Sequence, residues 1–319
     1  MQKPLAIGID LGGTQLRVAL VDRNGGIVSR ASVATDVAGG PQRVIEQIRL
    51  LCGEIDVGGR RAEIAGVGVS TPGPLDSEAG TIIAISTLPG WEEFPIVAKL
   101  AGEFGLPVVL ENDGIAAANG EWMFGAARDL QHFVYVTVST GIGGGVVVDG
   151  RLLRGRRGMA GHVGHMIIAP EGPRCSCGAL GCCEALASGS ALARSGREAV
   201  SAQPSSLLAQ PPADAITARD IVAAARQGDS FALTLLEREA AWLGIGFSNL
   251  AHLYSPQAIV MGGGVSQAFD LLHENIAGAF RRSAMPPFRD TRIVAAKLGD
   301  NAGLAGAAAL VWTREGRSG

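Results

Sequence analysis

At 319 residues the chain is long enough for two domains with separate cores, which excludes a single small module. Apolar residues make up 47% and charged residues 18%, without runs of like charge, so a chain disordered along its length is excluded as well. A formal net charge of -3 with scattered basic residues leaves no electrostatic footprint for nucleic acid or an anionic membrane, and a small molecule is the expected partner.

The first apolar run is broken by Asp10 and Gly12-Gly13, too soon for a signal peptide, and no later segment reaches the roughly 18 uncharged residues of a membrane span. A cytoplasmic protein is expected. Short apolar bursts at 5–10, 16–22 and 26–33 read as strands, and Asn24-Gly25 between the last two is a strong hairpin signal. Pro41 fits the first turn of a helix running to about Ile55. Strand 64–69, a rigid loop from Ser70 to Pro74, helix 96–104 and strand 108–110 follow. A helix over 115–124 closes this half.

Residues 133–150 then repeat the opening as strand (133–139), glycine turn (141–145), strand (146–149) and polar turn, which suggests an internal duplication beginning each of two lobes. Ser201 to Ala213 reads as a surface loop. Thr217 and Asp229 are candidate caps of two helices, the second reaching about Leu253. Ala258 to Met261 reads as a buried strand, and Ser266 as the cap of the next helix. The last helix, 303–312, is rich in small residues and should pack closely against another element.

Three glycine turns follow strands: Gly12-Gly13-Thr14 after Asp10, Gly141 to Gly145 after Thr140, and Gly262-Gly263-Gly264. Any one of them can be a tight hairpin turn. Together they suggest a nucleotide site split across a cleft, with backbone N–H groups facing phosphate oxygens. There is no Gly-Lys pair, the lysines being Lys3, Lys99 and Lys297, so a P-loop is excluded and Mg²⁺ with backbone dipoles must neutralise the phosphates. Asp10 suits the metal's water shell, or else an Asx-turn onto the glycine loop. Glu111-Asn112-Asp113 sits at the carboxyl end of a strand, where α/β folds place ligands. There Asp113 is either a helix cap or a base that accepts a sugar hydroxyl proton.

Four of the five cysteines, Cys175, Cys177, Cys182 and Cys183, fall within nine residues, shortly after His162-Val163-Gly164-His165. Three thiolates and one imidazole form the tetrahedral set that structural Zn²⁺ prefers, leaving Cys183 a spare and Cys52 a core residue.

These motifs resemble those of the ROK family of sugar kinases and related repressors, over the whole chain. The quoted segments are Asp10 to Thr14, Glu111 to Asp113, Ser139 to Gly145, and Cys175-x-Cys177-Gly178-x-x-Gly181-Cys182-x-Glu184. The resemblance implies a two-lobed α/β fold of the actin and hexokinase group, a duplicated ribonuclease H-like fold carrying a zinc loop over 162–184. Residues 1–113 plus 300–319 would form one lobe and 114–299 the other. It implies Asp113 as catalytic base and Gly73, Asn112, Asp113, His162, His165 and Glu184 around the sugar. Asp10, Gly12, Gly13, Thr14, Thr140, Gly141, Gly143, Gly144, Gly262, Gly263 and Gly264 would hold ATP and Mg²⁺, and His165, Cys175, Cys177 and Cys182 the zinc.

The family's repressors carry an N-terminal DNA-binding domain, which is not expected here because the first strand starts at Leu5. The chain departs from the family at His162, where a glutamate is usual. His-x-Gly-His resembles N-acetylmannosamine kinases, whereas Thr71 to Asp76 and Leu88-Pro89-Gly90-Trp91 resemble bacterial glucokinases. The activity implied is transfer of phosphate from ATP to the C6 hydroxyl of a hexose or N-acetylhexosamine, in a homodimer or homotetramer. A sugar-sensing protein without catalysis is the alternative.

Overall fold

Asn24-Gly25 closes a hairpin as its composition requires: Gly25 adopts φ +83° and donates its N–H to Asp22 O at 3.0 Å, while Asp22 Oδ1 accepts from Asn24 and Gly26 N. The computed structural model in which this is seen describes residues 3–315 except 56, 86, 87 and 211. The hairpin joins β2 (Gln15–Asp22) to β3 (Ile27–Ala34), and β2 is antiparallel to β1 (Leu5–Leu11). Strand β1 pairs in parallel with β4 (Ile64–Thr71). A separate small hairpin of β5 (Leu75–Asp76) and β6 (Thr81–Ile82) follows, and β7 (Val108–Asn112) completes the first sheet beside β4.

The second sheet contains β8 (Phe133–Val138), β9 (Ile142–Val148), β10 (Arg151–Leu152), β11 (Ala258–Gly262) and β12 (Arg292–Ala295). Its order, β10-β9-β8-β11-β12, repeats the β3-β2-β1-β4-β7 order of the first, with the same antiparallel and parallel pairings. The repeat visible in the residues is therefore a repeat of topology. One boundary differs from expectation: Gly143, Gly144 and Gly145 lie inside β9, opposite Thr137, Val136 and Tyr135, and the turn is confined to 139–141. Two of them are glycines for a steric reason, since a Cβ on Gly144 would sit 2.5 Å from Tyr135 O and one on Gly145 2.5 Å from Ala118 Cβ.

That alanine belongs to α3 (Asp113–Phe124), which follows α1 (Gly40–Glu54) and α2 (Ile96–Phe104). Helix α1 carries Pro41 in its first turn and buries Val44, Ile48, Leu51 and Cys52, one stripe at helical spacing, against the first sheet. The second lobe adds α4 (Cys183–Ala187), α5 (Gly189–Ala199), α6 (Ala218–Arg226), α7 (Ser230–Tyr254) and α8 (Phe269–Ser283). Thr217 caps α6 through a capping box with Asp220, and Asp229 caps α7, as expected. Ser266 does not cap α8. It lies in a 3₁₀ turn with its hydroxyl donated to Gly263 O at 2.7 Å, and Ala268 holds the cap position. Within 201–213, Leu208 is buried, so this stretch is anchored to the core rather than lying wholly on the surface.

The last helix, α9 (Ala302–Glu315), returns to the first sheet. It packs so tightly on β1 and β4 that a Cβ on Gly8 or Gly68 would strike the carbonyls of Leu304 and Ala307. It also meets α3, where a Cβ on Gly306 would strike Ala116 O. Because α3 lies on β8 and β9 and α9 lies on β1 and β4, the two halves of the molecule meet through this helix pair. Among the described residues no helix is long and apolar enough to cross a membrane.

Glu239 is a buried acid in the middle of α7, with Oε1 lacking a hydrogen-bond partner, and burial pushes its carboxyl well above the usual range. The fold tolerates the neutral acid, so the stability it permits is lost as pH rises through the folded value. Glu239→Met should stabilise the protein by on the order of 1–3 kcal/mol at pH 8, and the gain should shrink towards pH 4. Thermal melts of both proteins at the two pH values check this.

Candidate functional site

The end of β7 determines where Asp113 points. Asn112 has extended backbone and caps α3, its Oδ1 accepting from Gly114 N at 3.0 Å, so Asp113 is the first helical residue and not the cap. Asp113 Oδ1 also accepts from Gly114 N, at 2.8 Å. The start of the helix is pressed onto the other sheet: a Cβ on Gly114 would lie 2.6 Å from Gly144 N and O. A residue delivered by the first sheet thus stands at the junction with the second. Burial pushes the Asp113 carboxyl above its ordinary value, the Gly114 N–H offsets part of this, and the charge of Asp10 adds to it.

Asp10 is the penultimate residue of β1 and forms an ion pair with Arg17, its antiparallel partner on β2. Arg17 also donates to Asp300 O at 2.8 Å. The 12–14 turn closes through its own backbone, Gly12 N to Gln15 O at 3.0 Å, so the Asp10 carboxylate is not needed to close it. Thr35 fastens this turn from outside, donating N–H to Thr14 O and its hydroxyl to Gly12 O. Glu111 does not share the crevice with Asp113. Its side chain is fully buried and accepts from Arg154 Nε at 2.7 Å, the strand's alternation having turned it away.

The other two glycine turns are neighbours, as the parallel pairing of β8 and β11 requires. A Cβ on Gly263, which has φ +85°, would lie 2.5 Å from Val138 O, and one on Gly264 would lie 3.7 Å from Ser139 Oγ. The 139–141 turn is held from below by the start of α5: Gly189 N donates to Ser139 O at 2.7 Å and Ser190 N to Thr140 O at 3.3 Å. Thr140 is exposed, Gly141 half-buried and Gly262 buried. Gly144 is buried beneath α3, so its place is within the packing between the sheets, while Gly143 keeps partial exposure.

Gly73, Asn112 and His162 converge: a Cβ on Gly73 would lie 3.5 Å from Asn112 Nδ2 and 4.0 Å from His162 Cε1. Partial loss of water and the neighbouring His165 hold the His162 imidazole below its usual value, so it is neutral at pH 7 and can both donate and accept. The rings of His162 and His165 are stacked with centroids 6.1 Å apart. Glu184, the second residue of α4, accepts from Ile142 N at 2.9 Å and from Ser176 Oγ at 3.2 Å.

His165, Cys175, Cys177 and Cys182 come together, with donor atoms all within 4.8 Å of one another. Cys175 Sγ is 3.6 Å from His165 Nδ1, and the Cys177 and Cys182 sulfurs are 3.6 Å apart. Zinc bonds of about 2.3 Å to sulfur and 2.0 Å to nitrogen give tetrahedral edges of about 3.5–3.8 Å, so the set fits the ion. Cys183 lies outside it, buried in the core with its thiol pushed up to about 12 by burial, and the Cys52 thiol behaves likewise. Metal analysis of the purified protein should give one zinc per chain. Cys175→Ser should lower that content at least tenfold and lower the melting temperature.

Three side chains went unread in the sequence. Arg17 could have been found, because a hairpin turning at 12–14 sets residue 17 opposite residue 10. Arg154, which pairs with Glu111 across 43 positions, and Ser176, which depends on the path of the cysteine loop, carry no local signal.

A duplicated α/β fold with glycine turns at strand ends in each half and an aspartate at the junction of the two sheets defines the class, and the chain belongs to the ROK family, whose profile matches residues 6–314. Within the family it is similar to sugar kinases and also to regulators, a putative xylose repressor from Caldicellulosiruptor sp. being 31% identical over 96% of this chain and 78% of its own length. A glucokinase from Thermotoga maritima is 39% identical over 99% of this chain and 100% of its own length. An N-acetylmannosamine kinase from Salmonella typhi is 33% identical over 95% of this chain and 97% of its own. The crystal structure of a ROK family glucokinase from Streptomyces griseus in complex with glucose and AMPPNP superposes with a TM-score of 0.84, at 36% identity, covering 97% of this chain and 99% of that one.

Proposed function

We propose that this protein is a sugar kinase that transfers the γ-phosphoryl group of ATP to the C6 hydroxyl of a hexose or N-acetylhexosamine. The candidate sugars are glucose, N-acetylmannosamine and N-acetylglucosamine. The observation that carries the reading is the placing of Asp113 at the junction of the two sheets, within electrostatic reach of Asp10, in a fold whose second sheet sets two glycine turns at the ends of adjacent strands.

Asp113 accepts the hydroxyl proton as the C6 oxygen bonds to phosphorus and ADP leaves; the carboxyl, raised above the usual range, is a stronger base than an exposed aspartate. Asn112, Gly73, neutral His162 and Glu184 bind and orient the sugar, and His165 lies one ring behind His162. The main-chain N–H groups of Gly13, Thr14, Thr140, Gly141, Gly143 and Gly262 to Gly264 face the phosphates, while Gly12 N is spent on Gln15 O in closing its own turn. Asp10 holds the water shell of Mg²⁺, whose charge neutralises the triphosphate. The lobes, 1–113 with 300–319 and 114–299, close on the substrates and expel water. Zinc, held by His165, Cys175, Cys177 and Cys182, fixes the loop that carries Glu184.

A coupled assay for ADP release tests the reading, with glucose, mannose, N-acetylglucosamine, N-acetylmannosamine, fructose and allose ranked by kcat/KM. Sugar-dependent ADP release above the ATPase background is expected with at least one of the first four. Sugar binding with no ADP release from any of them would replace the kinase with a sugar sensor.

A further inference from the structure

The Glu184 carboxylate is held at both ends, by two parts of the molecule with different tasks. Oε2 accepts from Ile142 N at 2.9 Å, at the first residue of β9 directly after the glycine turn, and a Cβ on Gly141 would collide with that same oxygen. Oε1 faces the cysteine loop, with Ser176 Oγ at 3.2 Å and Cys175 Sγ at 3.7 Å. Segment 184–190 is fastened to the same turn twice more, through Gly189 N to Ser139 O and Ser190 N to Thr140 O. The turn that faces the phosphates and the carboxylate on the sugar side therefore move as one piece.

Ser176 has a specific task in this arrangement. As a zinc ligand Cys175 is a thiolate with no proton to donate, so its sulfur and Glu184 Oε1 would face each other as two anions. The Ser176 hydroxyl, 3.8 Å from that sulfur and within hydrogen-bond reach of Oε1, supplies a donor on this side. Without it the carboxylate keeps only its bond to Ile142 N on the opposite oxygen and is free to rotate about that attachment.

The geometry points to Ser176 as a positioning residue: its hydrogen bond sets the plane of the Glu184 carboxylate, and through that carboxylate sugar binding is coupled to nucleotide binding. This rests on the proposal that Glu184 faces the sugar. Ser176 touches neither substrate. Its loss weakens sugar binding and reduces the mutual tightening of sugar and nucleotide, while nucleotide alone binds as before. By reciprocity the same factor must appear whichever ligand is added first.

The test uses the zinc-loaded full chain as wild type, Ser176→Ala and Ser176→Thr. Calorimetry measures the Kd of glucose and of N-acetylmannosamine with and without AMPPNP and Mg²⁺, and steady-state assays give KM for sugar and for ATP. Ser176→Ala should weaken binding of the preferred sugar about fivefold and cut the AMPPNP-induced tightening at least threefold. Zinc content and the Kd of AMPPNP alone should stay at wild-type values, and Ser176→Thr should restore both sugar readouts. Unchanged sugar affinity and unchanged coupling in Ser176→Ala overturn the inference. Loss of zinc in Ser176→Ala also overturns it, because the hydroxyl would then serve the metal loop instead of the carboxylate. A wild-type protein that binds both ligands yet releases no ADP sinks the kinase proposal and leaves the binding comparison to decide the role of Ser176.

Discussion

Asp113→Asn should lose activity and gain stability together. Removing a general base costs on the order of 10²–10⁴ in kcat, and the amide keeps the shape and an oxygen for Gly114 N, so the loss should fall on kcat with KM for sugar nearly unchanged. The stability gain follows from the sign of the shift. Burial raises the folded-state value of Asp113, so the fold prefers the protonated acid, and the stability that proton confers is lost as pH rises through the folded value. As pH rises through the folded value the wild type must ionise a buried carboxyl against the charge of Asp10, and the asparagine variant does not. Its melting temperature should exceed that of the wild type at pH 7 and match it at a pH below the ordinary aspartate value of about 3.9. The acid limb of wild-type kcat/KM should lie above that value for the same reason. Near wild-type kcat in the variant would remove Asp113 from the chemistry. A lower melting temperature at pH 7 would mean that the burial cost is compensated elsewhere.

The largest loss of stability is expected at Glu121. Its buried carboxylate, in the last turns of α3, accepts from Ala126 N at 2.6 Å, Leu298 N at 2.8 Å and Lys297 N at 3.1 Å. These bonds close the end of α3 and tie it to the segment that leads from β12 into α9. Glu121→Ala would take the acceptor from three partly buried backbone donors, each costing about 1–3 kcal/mol, for an expected total of about 3–5 kcal/mol. Glu121→Gln keeps one acceptor oxygen and should lose about half as much. Urea unfolding of the three proteins, compared at constant m-value, checks the order. A loss under 1 kcal/mol in the alanine variant would show that these donors find other partners.

Local rules were enough for much of the architecture. The Asn24-Gly25 hairpin, the Pro41 helix, the helix over 96–104 and the caps at Thr217 and Asp229 all follow from residues within a few positions of one another. The family was legible because its phosphate, carboxylate and cysteine motifs are each contiguous. Where the reading went astray, a distant partner had decided the outcome. Gly143 to Gly145 read as a turn by composition, but they lie in a strand, where helix α3 passing over Gly144 and Gly145 needs bare backbone. Ser266 read as a cap because it is a serine before a helix, yet the chain inserts a 3₁₀ turn there and spends the hydroxyl on Gly263. Glu111 looked like a partner for Asp113 because adjacent letters hide the alternation of a strand, and its actual partner, Arg154, is 43 residues on.

The fit of α9 onto Gly8 and Gly68 bears on how the chain is born. Strands β1 and β4 leave the ribosome early, but the backbone groove that those glycines open stays unfilled until residues 302–312 have been made. The same helix completes the core on the second sheet, where Ala302 and Leu310 pack with α3, Phe133, Tyr135 and Val260, so both halves wait for it. A nascent chain arrested before α9 should therefore leave both halves incomplete, and it is in that interval that a chaperone would have most to shield.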